Sequence, residues 1–451
     1  MNSLGHFIRK HVAPGLGIFL GRSRYSLFDQ ILNHECLSQP NISMLESVSL
    51  KGLLLNAKQH VPFYSELLSS YTLPDFEAPY DILHRLPIST KHDLQKQYEN
   101  MISISVPRRD LLAIHTGGST GKPLSFLVDR QFLEKRRAAN MRNLTWGGWT
   151  PGEPIAMFWG AEHELGAKPT YLSKLKTSLT GWHLINSHQY DHSLIRSWIG
   201  YLVDNNIKFV YGYSSVIYNI ARYQRRHGTQ LPKMKAIFTT AETLFPHYRQ
   251  LIEDTFQCKV YNQYGSREVP SISAECEKGN MHILSDMVHA EFMHGSRNDN
   301  IYRIILTSFI NHSFPFIRYD IEDLGLPKAG DCSCGRIFPL MEITIGRARD
   351  HMVKPDGQII HPSYFSGLLY GAAGIMSYQF RQIDHRRIVL FIVPDDSKSV
   401  HYSALEELRA RIQRELSWEV SLDIQQVDHI PTPSSGKHRY VVSDLSLEEI
   451  F

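Results

Sequence analysis

Between residues 207 and 265 short apolar runs alternate with amphipathic ones, and this alternation narrows the possible folds more than any other feature. "IKFVYGY" (207–213), "MKAIFTT" (234–240) and "CKVYNQYG" (258–265) read as strands. "SSVIYNIARYQRRHG" (214–228) has helical apolar spacing and is stopped by a glycine, and "FPHYRQLIEDTF" (245–256) reads as a second helix. "PIAMFWG" (154–160) adds a further buried strand. Strand, helix, strand, helix, strand at this spacing predicts an α/β fold with a parallel sheet and polar loops at the carboxyl ends of its strands.

The rest of the chain frames this unit. Residues 45–70 have helical spacing interrupted at Pro62, which predicts a helical N-terminal cap over about residues 1–75. After about residue 348 the texture changes. "YQFRQID" and "RRIVLFIVP" form a hairpin, "SALEELRARIQREL" (403–416) a charged helix and "VSLDIQQVDHI" a last strand, an α+β module of about 100 residues. At 451 residues the chain exceeds one compact core. It therefore divides into a large N-terminal domain (1–347) and a small C-terminal α+β domain (348–451). The boundary falls in "GRARDHMVKPDG" (346–357), whose charges and glycines suit a hinge loop.

Charge removes one class of partner. Basic and acidic residues number 48 and 45, with no long block of either sign, so no nucleic-acid partner is expected. The longest apolar runs, such as "IVLFIV" (388–393), fall far short of the roughly 20 residues that cross a bilayer. The N-terminal "MNSLGHFIRKHVAPGLGIFLG" is weakly amphipathic and carries no convincing cleavage site; contact with a membrane surface stays open for it. Five cysteines make no disulfide framework, which points to the cytoplasm.

"AIHTGGSTGKPLSF" (113–126) carries the chemistry. A Walker-type phosphate loop needs a glycine where Thr116 stands and a hydroxyl where Pro123 stands, so that motif is excluded. What remains is a hydroxyl-rich loop between two strand-like segments, "LLAIH" and "PLSFLVD". Thr116, Ser119 and Thr120 offer hydroxyls, Gly117, Gly118 and Gly121 let backbone amides turn inward around an anion, and Lys122 follows them. An ordinary hairpin turn of small residues is the alternative.

"HTGGSTGKP" resembles the phosphate loop of the adenylate-forming superfamily: acyl- and aryl-CoA synthetases, peptide-synthetase adenylation domains and luciferases. Further segments resemble that family in its own order. They are "TTAETLFPHYRQLIEDTF" (239–256), "YNQYGSREV" (261–269), "FIRYDIEDLG" (316–325), "GRARDHMVK" (346–354) and "PSSGKHRYV" (433–441). "YGSREV", "ECEKGNMHI" and "CSCGR" are most similar to the phenylacetate–CoA ligase-like branch, particularly its capsular-polysaccharide-biosynthesis (CapK-like) subgroup.

The resemblance implies a role for each position. Lys437 would be the catalytic lysine bridging carboxylate and α-phosphate, delivered by a C-terminal domain that swings about a hinge at Arg349 and Asp350. Glu268 would hold Mg²⁺, and Tyr264, with Gly265 and Ser266 beside it, would face adenine. Ala241 and Glu242 would line the other side of the base. Asp323 would accept from the ribose hydroxyls, and Arg347 would reach the sugar or phosphates. One position departs from the pattern: Arg267 stands where many members carry Ser or Thr, and its guanidinium can serve the α-phosphate as a multidentate donor. Tyr211, Gly212, Tyr213, Ser214 and Ser215 would line the acid pocket, with Trp159 and Glu162 added and His115 and His163 as further candidates.

Cys276 and His282, followed fifty residues on by Cys332 and Cys334, form two close ligand pairs that suit a closed, structural tetrahedral Zn²⁺. Buried free thiols are the alternative. Related members of the branch that hold structural zinc favour the metal. Cys36 and Cys258 read as structural, the latter in a buried strand.

The resemblance implies ATP-dependent activation of a small carboxylic acid, flat and aromatic in one reading of the pocket, as an acyl- or aryl-adenylate with release of pyrophosphate. Transfer to a thiol follows, either coenzyme A or the phosphopantetheine of a carrier protein. Transfer to an amine or hydroxyl in polysaccharide or secondary-metabolite biosynthesis is the alternative, and a nucleotide-binding regulatory protein without turnover is a third reading. A homodimer stays open.

Overall fold

The computed structural model describes residues 23–451 apart from 117–123, 160–176, 179, 188–189, 229–230, 295–301, 348–351, 361–363, 366–367, 370–373, 395–401, 432–438 and 446–451. Before residue 23 it describes Val12 and Gly15.

The N-terminal cap consists of α1 (Arg24–His34), α2 (Gln39–His60), α3 (Pro62–Leu67), α4 (Pro79–Arg85) and α5 (Lys91–Lys96). Leu50, Leu53, Leu54 and Ala57 form the buried stripe of α2 at spacings of three and four residues. Pro62 ends that helix and opens the next, since proline fits a first helical position and breaks an interior one. A hairpin of β1 (Leu112–His115) and β2 (Ser125–Val128) then leads into α6 (Arg130–Thr145), capped by the Asp129 carboxylate, which accepts from Phe132 N–H at 2.7 Å. The cap is welded to α6. Glu134 accepts from Arg24 through both oxygens, and Glu35 accepts from the Trp146 indole at 2.7 Å.

The parallel unit expected from the alternation is present. It contains β3 (Ile155–Trp159), β4 (Trp182–Asn186), α7 (His192–Asp204), β5 (Phe209–Tyr213), α8 (Ser214–His227), β6 (Ala236–Thr240), α9 (Pro246–Phe256) and β7 (Lys259–Tyr264). Gly228 ends α8 in the left-handed conformation, φ +62°. Cys258 lies just before β7 and is half-buried, not inside a buried strand, and Cys36 is exposed.

Beyond β7 the sheet changes character. β8 (Ser273–Glu275), β9 (Met281–Ile283), β10 (Val288–His294), β11 (Tyr302–Ser308), β12 (Tyr319–Lys328) and β13 (Leu340–Arg347) continue it antiparallel. The result is one eleven-stranded mixed sheet in the order β10-β11-β12-β13-β9-β8-β7-β6-β5-β3-β4. A buried ion pair fastens this half to α6: Arg142 donates to Asp286 at 2.7 Å, and His34 Nδ1 lies 2.8 Å from the same oxygen. Burial alone would raise the Asp286 carboxyl, but Arg142 and His34 outweigh it and hold the group below its ordinary range.

After a short ribbon of β14 (Met352–Val353) and β15 (Ile359–Ile360), a separate α+β domain has its own sheet and core. The expected hairpin is β16 (Ile375–Asp384) with β17 (Arg387–Pro394), followed by α10 (Tyr402–Glu415) and β18 (Ser421–Gln426). A strand absent from the sequence reading, β19 (Val441–Ser443), pairs parallel with β16 and completes the order β18-β17-β16-β19. Among the described residues, no helix is long and apolar enough to cross a membrane.

Candidate active site

The carboxyl ends of parallel strands gather side chains in one crevice, because every strand points the same way and its connecting loop must leave there. Trp159 ends β3, Tyr213 ends β5, Ala241 and Glu242 follow β6, and Tyr264 ends β7.

The turn after β7 is the centre of this region. Gly265 is required there: a Cβ would stand 2.3 Å from the Pro270 carbonyl oxygen. Ser266 N–H donates to the Val269 carbonyl at 2.8 Å, and the Ser266 hydroxyl accepts from Val269 N–H at 2.9 Å. From this turn three contacts reach segments distant in sequence. The Tyr264 hydroxyl donates to Asp323 of β12 at 2.7 Å, and Tyr319, also of β12, directs its hydroxyl at the buried Glu268 carboxylate from 3.4 Å. The Arg267 guanidinium donates to the carbonyl of His115, the last residue of β1. Thr116 closes the hairpin beyond His115, its N–H donating to the Leu124 carbonyl and its hydroxyl accepting from Leu124 N–H, both at 2.9 Å.

The motif residues Thr116, Tyr264, Gly265, Ser266, Arg267, Glu268 and Asp323 thus come together. Asp323 stands opposite Arg347 in the β12–β13 ladder. Gly117, Gly118, Ser119, Thr120, Gly121, Lys122, Glu162, His163, Arg349, Asp350 and Lys437 lie outside the described residues. Tyr319 was not singled out in the sequence. Its only signal is its place in "FIRYDIEDLG", whose backbone is unusual: Arg318 and Glu322 take positive φ, 47° and 63°.

Ala241 also takes a positive φ, 68°. The turn it makes brings the Glu242 carboxylate to the start of α8, where it accepts from Ser215 N–H at 2.9 Å; negative charge is favourable at a helix N-terminus. Ser214 is buried and donates to the Thr243 carbonyl at 2.9 Å, and Tyr213 is buried as well. Gly212 serves strand packing, since a Cβ would stand 2.8 Å from the Phe158 carbonyl of β3. Trp159 and Tyr211 are half-buried and lie near parallel, ring centres 6.1 Å apart, with Tyr213 4.9 Å from Trp159.

A second cluster lies at β8 and β9. The ligand atoms of Cys276, His282, Cys332 and Cys334 all fall within 4.8 Å of one another. Cys276 and Cys332 sulfurs are 3.6 Å apart, and Cys334 Sγ is 3.3 Å from His282 Nε2. His282 Nδ1 lies 3.0 Å from the Phe338 carbonyl, so a proton held there leaves Nε2 to face the sulfurs. Three N–H groups point at the sulfurs: Lys278 N to Cys276 and Arg336 N to Cys334 at 3.4 Å, and Asn280 Nδ2 to Cys332 at 3.2 Å. Burial pushes the Cys276 thiol up to about 11. Burial opposes ionisation at Cys332 too, yet its hydrogen bonds prevail and hold that thiol below its ordinary range. Three sulfurs and one imidazole nitrogen this close fit a tetrahedral zinc ion.

Comparison with known proteins agrees with this architecture. Residues 352–444 match the CapK C-terminal domain. The chain is 25% identical to Protein CapK of Staphylococcus aureus over 409 residues, 86% of each protein. Among solved structures it is similar to 2-hydroxyisobutyryl-CoA ligase in the postadenylation state, with TM-score 0.68, 20% identity and 91% of each chain covered. Against the same ligase in its thioesterification state the TM-score is 0.58, with 19% identity and 92% of each chain covered. Against the anthranilate CoA ligase AuaEII with anthranoyl-AMP it is 0.51, with 11% identity, 81% of this chain and 75% of the other covered. The fold is that of the adenylate-forming ligases. In sequence the chain is similar to Protein CapK, and its residues 352–444 match the CapK C-terminal domain.

Proposed function

We propose that the chain is an ATP-dependent ligase that joins a small carboxylic acid to AMP, releases pyrophosphate, and passes the acyl group to a thiol, either coenzyme A or carrier-protein phosphopantetheine. The observation that carries this reading is the turn 264–268, bonded at once to the base of the 116–124 hairpin and to Asp323. A nucleotide lying across that turn would have Tyr264 against its base, Asp323 at its ribose and the hairpin at its phosphates. An acid oxygen then attacks the α-phosphorus as the bond to pyrophosphate breaks. Arg267, held at the hairpin base, would stabilise charge on the α-phosphate, and Lys437 would bring the second cation. Glu268 would hold Mg²⁺, which when bound supplies charge against the phosphate oxygens. Trp159 and Tyr211 would bound the acid pocket, where a flat ring fits against them. Cys276, His282, Cys332 and Cys334 would hold a structural Zn²⁺. The domain boundary would fall at 347/348, and the enzyme would work in the cytoplasm.

The test is acid-dependent exchange of labelled pyrophosphate into ATP across a panel of carboxylic acids. Exchange with at least one acid is expected, and Lys437→Ala should lower it by on the order of a hundredfold while nucleotide binding persists. No exchange with any acid, or full exchange in Lys437→Ala, overturns the reading. Adding coenzyme A, a phosphopantetheine thiol, or an amine or hydroxyl acceptor then identifies the second step. Metal analysis of the purified protein decides the zinc site.

A further inference from the structure

Tyr440 belongs to the C-terminal domain yet packs on the cores of both domains. Its main chain is fixed to β16: Phe380 N–H donates to the Tyr440 carbonyl, and Gln379 Nε2 to the Arg439 carbonyl, each at 2.8 Å. Its ring lies 5.0 Å from Tyr378 of β16. On the other side it meets the large domain edge-on, 5.9 Å from Tyr248 of α9 and 6.2 Å from Phe245 just before that helix. Tyr248 stacks on Tyr218 of α8 at 3.8 Å, and its hydroxyl hydrogen-bonds with that of Tyr440. Arg222 lies over the Tyr218 ring and is close enough to act electrostatically on Tyr378 across the same junction.

The position of this socket matters. Phe245 is three residues beyond Glu242, and the Glu242 carboxylate is near enough to act on the Tyr440 hydroxyl. Lys437 is three residues before Tyr440 in the sequence, and the reach of the chain alone limits their Cα separation to at most about 11 Å. The ring that docks the domain therefore also fixes one end of the segment bearing the lysine.

We propose that Tyr440 is a positioning residue: seated against Phe245 and Tyr248, it registers the C-terminal domain on the large domain beside the 241–248 segment. This rests on the adenylation reading for its catalytic consequence, but the docking itself does not. A residue acting through register should change turnover and leave nucleotide affinity alone.

The experiment compares Tyr440→Phe, Tyr440→Ala, Phe245→Ala and the double alanine variant in the full-length protein. The first readout, without substrates, is the rate of tryptic cleavage at Arg347 and Arg349 between the domains. Both single alanine variants should be cut about fivefold faster, the double variant no faster than either, and Tyr440→Phe near the wild-type rate. The second readout is pyrophosphate exchange, where each alanine variant should lose about tenfold in kcat with KM for ATP within about twofold, and phenylalanine should restore most of the rate. Phe245→Ala, on the opposite domain, decides the matter if Tyr440→Ala does not fold. Wild-type cleavage rates in the alanine variants, or additive effects in the double variant, overturn the proposal. A wild-type protein without exchange would sink the adenylation reading and leave the cleavage arm to judge the docking.

Discussion

Both halves of the large sheet bury apolar side chains, but they differ in how much buried charge ties them together. In the parallel half, β6 buries all five of its residues, and the strands and flanking helices meet through apolar side chains such as Ile237, Val210 and Ile252. The antiparallel half is cross-tied by charge: Arg142 with Asp286, Arg318 with Glu291 at 2.8 Å, and Arg303 with Asp320. Apolar contact is non-directional and tolerates small losses, whereas a buried charge whose partner is removed loses its whole compensation. The candidate site lies at the seam. Its platform, Tyr264 and the 241–242 segment, comes from the parallel half, and its polar partners Asp323 and Tyr319 come from β12.

That contrast can be broken by substitution. The largest effect is expected for Asp286→Asn, which leaves the buried Arg142 with only the more distant Glu35 carboxylate, 4.0 Å away, as counter-charge; urea unfolding should show a loss of about 3 kcal/mol. At the seam, Gly265→Ala places a Cβ into the Pro270 carbonyl and should cost about 3 kcal/mol, read as a lower Tm together with weaker nucleotide binding. Tyr264→Phe removes only the hydroxyl bonded to Asp323, worth about 1 kcal/mol, or a rise of roughly fivefold in KM for ATP. Ile237→Val in the parallel half should cost about 1 kcal/mol. If Ile237→Val proved more damaging than Asp286→Asn, the contrast between the halves would be wrong.

Acid sharpens the same comparison. His247, packed on Phe245 and Tyr248, has its pKa pulled down to about 4 by burial. Between its ordinary value near 6.5 and about 4, the unfolded chain holds a proton that the native chain lacks, so stability falls as pH drops through that window. Asp286 behaves differently. Its depressed carboxyl contributes fully above its ordinary value of about 3.9, and the contribution is lost only below it. Thermal unfolding from pH 7 to 4.5 should therefore decline less steeply in His247→Gln than in the wild type. An unchanged slope would remove His247 from the account.

The parallel half was legible because each of its elements is long and periodic enough to identify itself locally. The antiparallel half was not: β8 and β9 are three residues each, and β12 contains a left-handed residue, Glu322, that no apolar pattern announces. The family resemblance singled out Tyr264, Glu268 and Asp323, but not the bonds among them. Arg267 reaches a carbonyl 152 residues away and Arg142 a carboxylate 144 away, and such pairings are properties of topology, not of spacing. Cys276, His282, Cys332 and Cys334 declared themselves by residue type, while the N–H groups aimed at their sulfurs did not. Tyr440 passed unnoticed for the same reason, since one aromatic near a chain end gives no sign of the socket it fills.

The most direct test of the central claim is a crystal structure with a non-hydrolysable ATP analogue. The expected result places the ribose hydroxyls on Asp323, the base beside Tyr264 and the triphosphate along residues 116–124. An analogue bound elsewhere, with Tyr264 and Asp323 still joined and untouched, would contradict it.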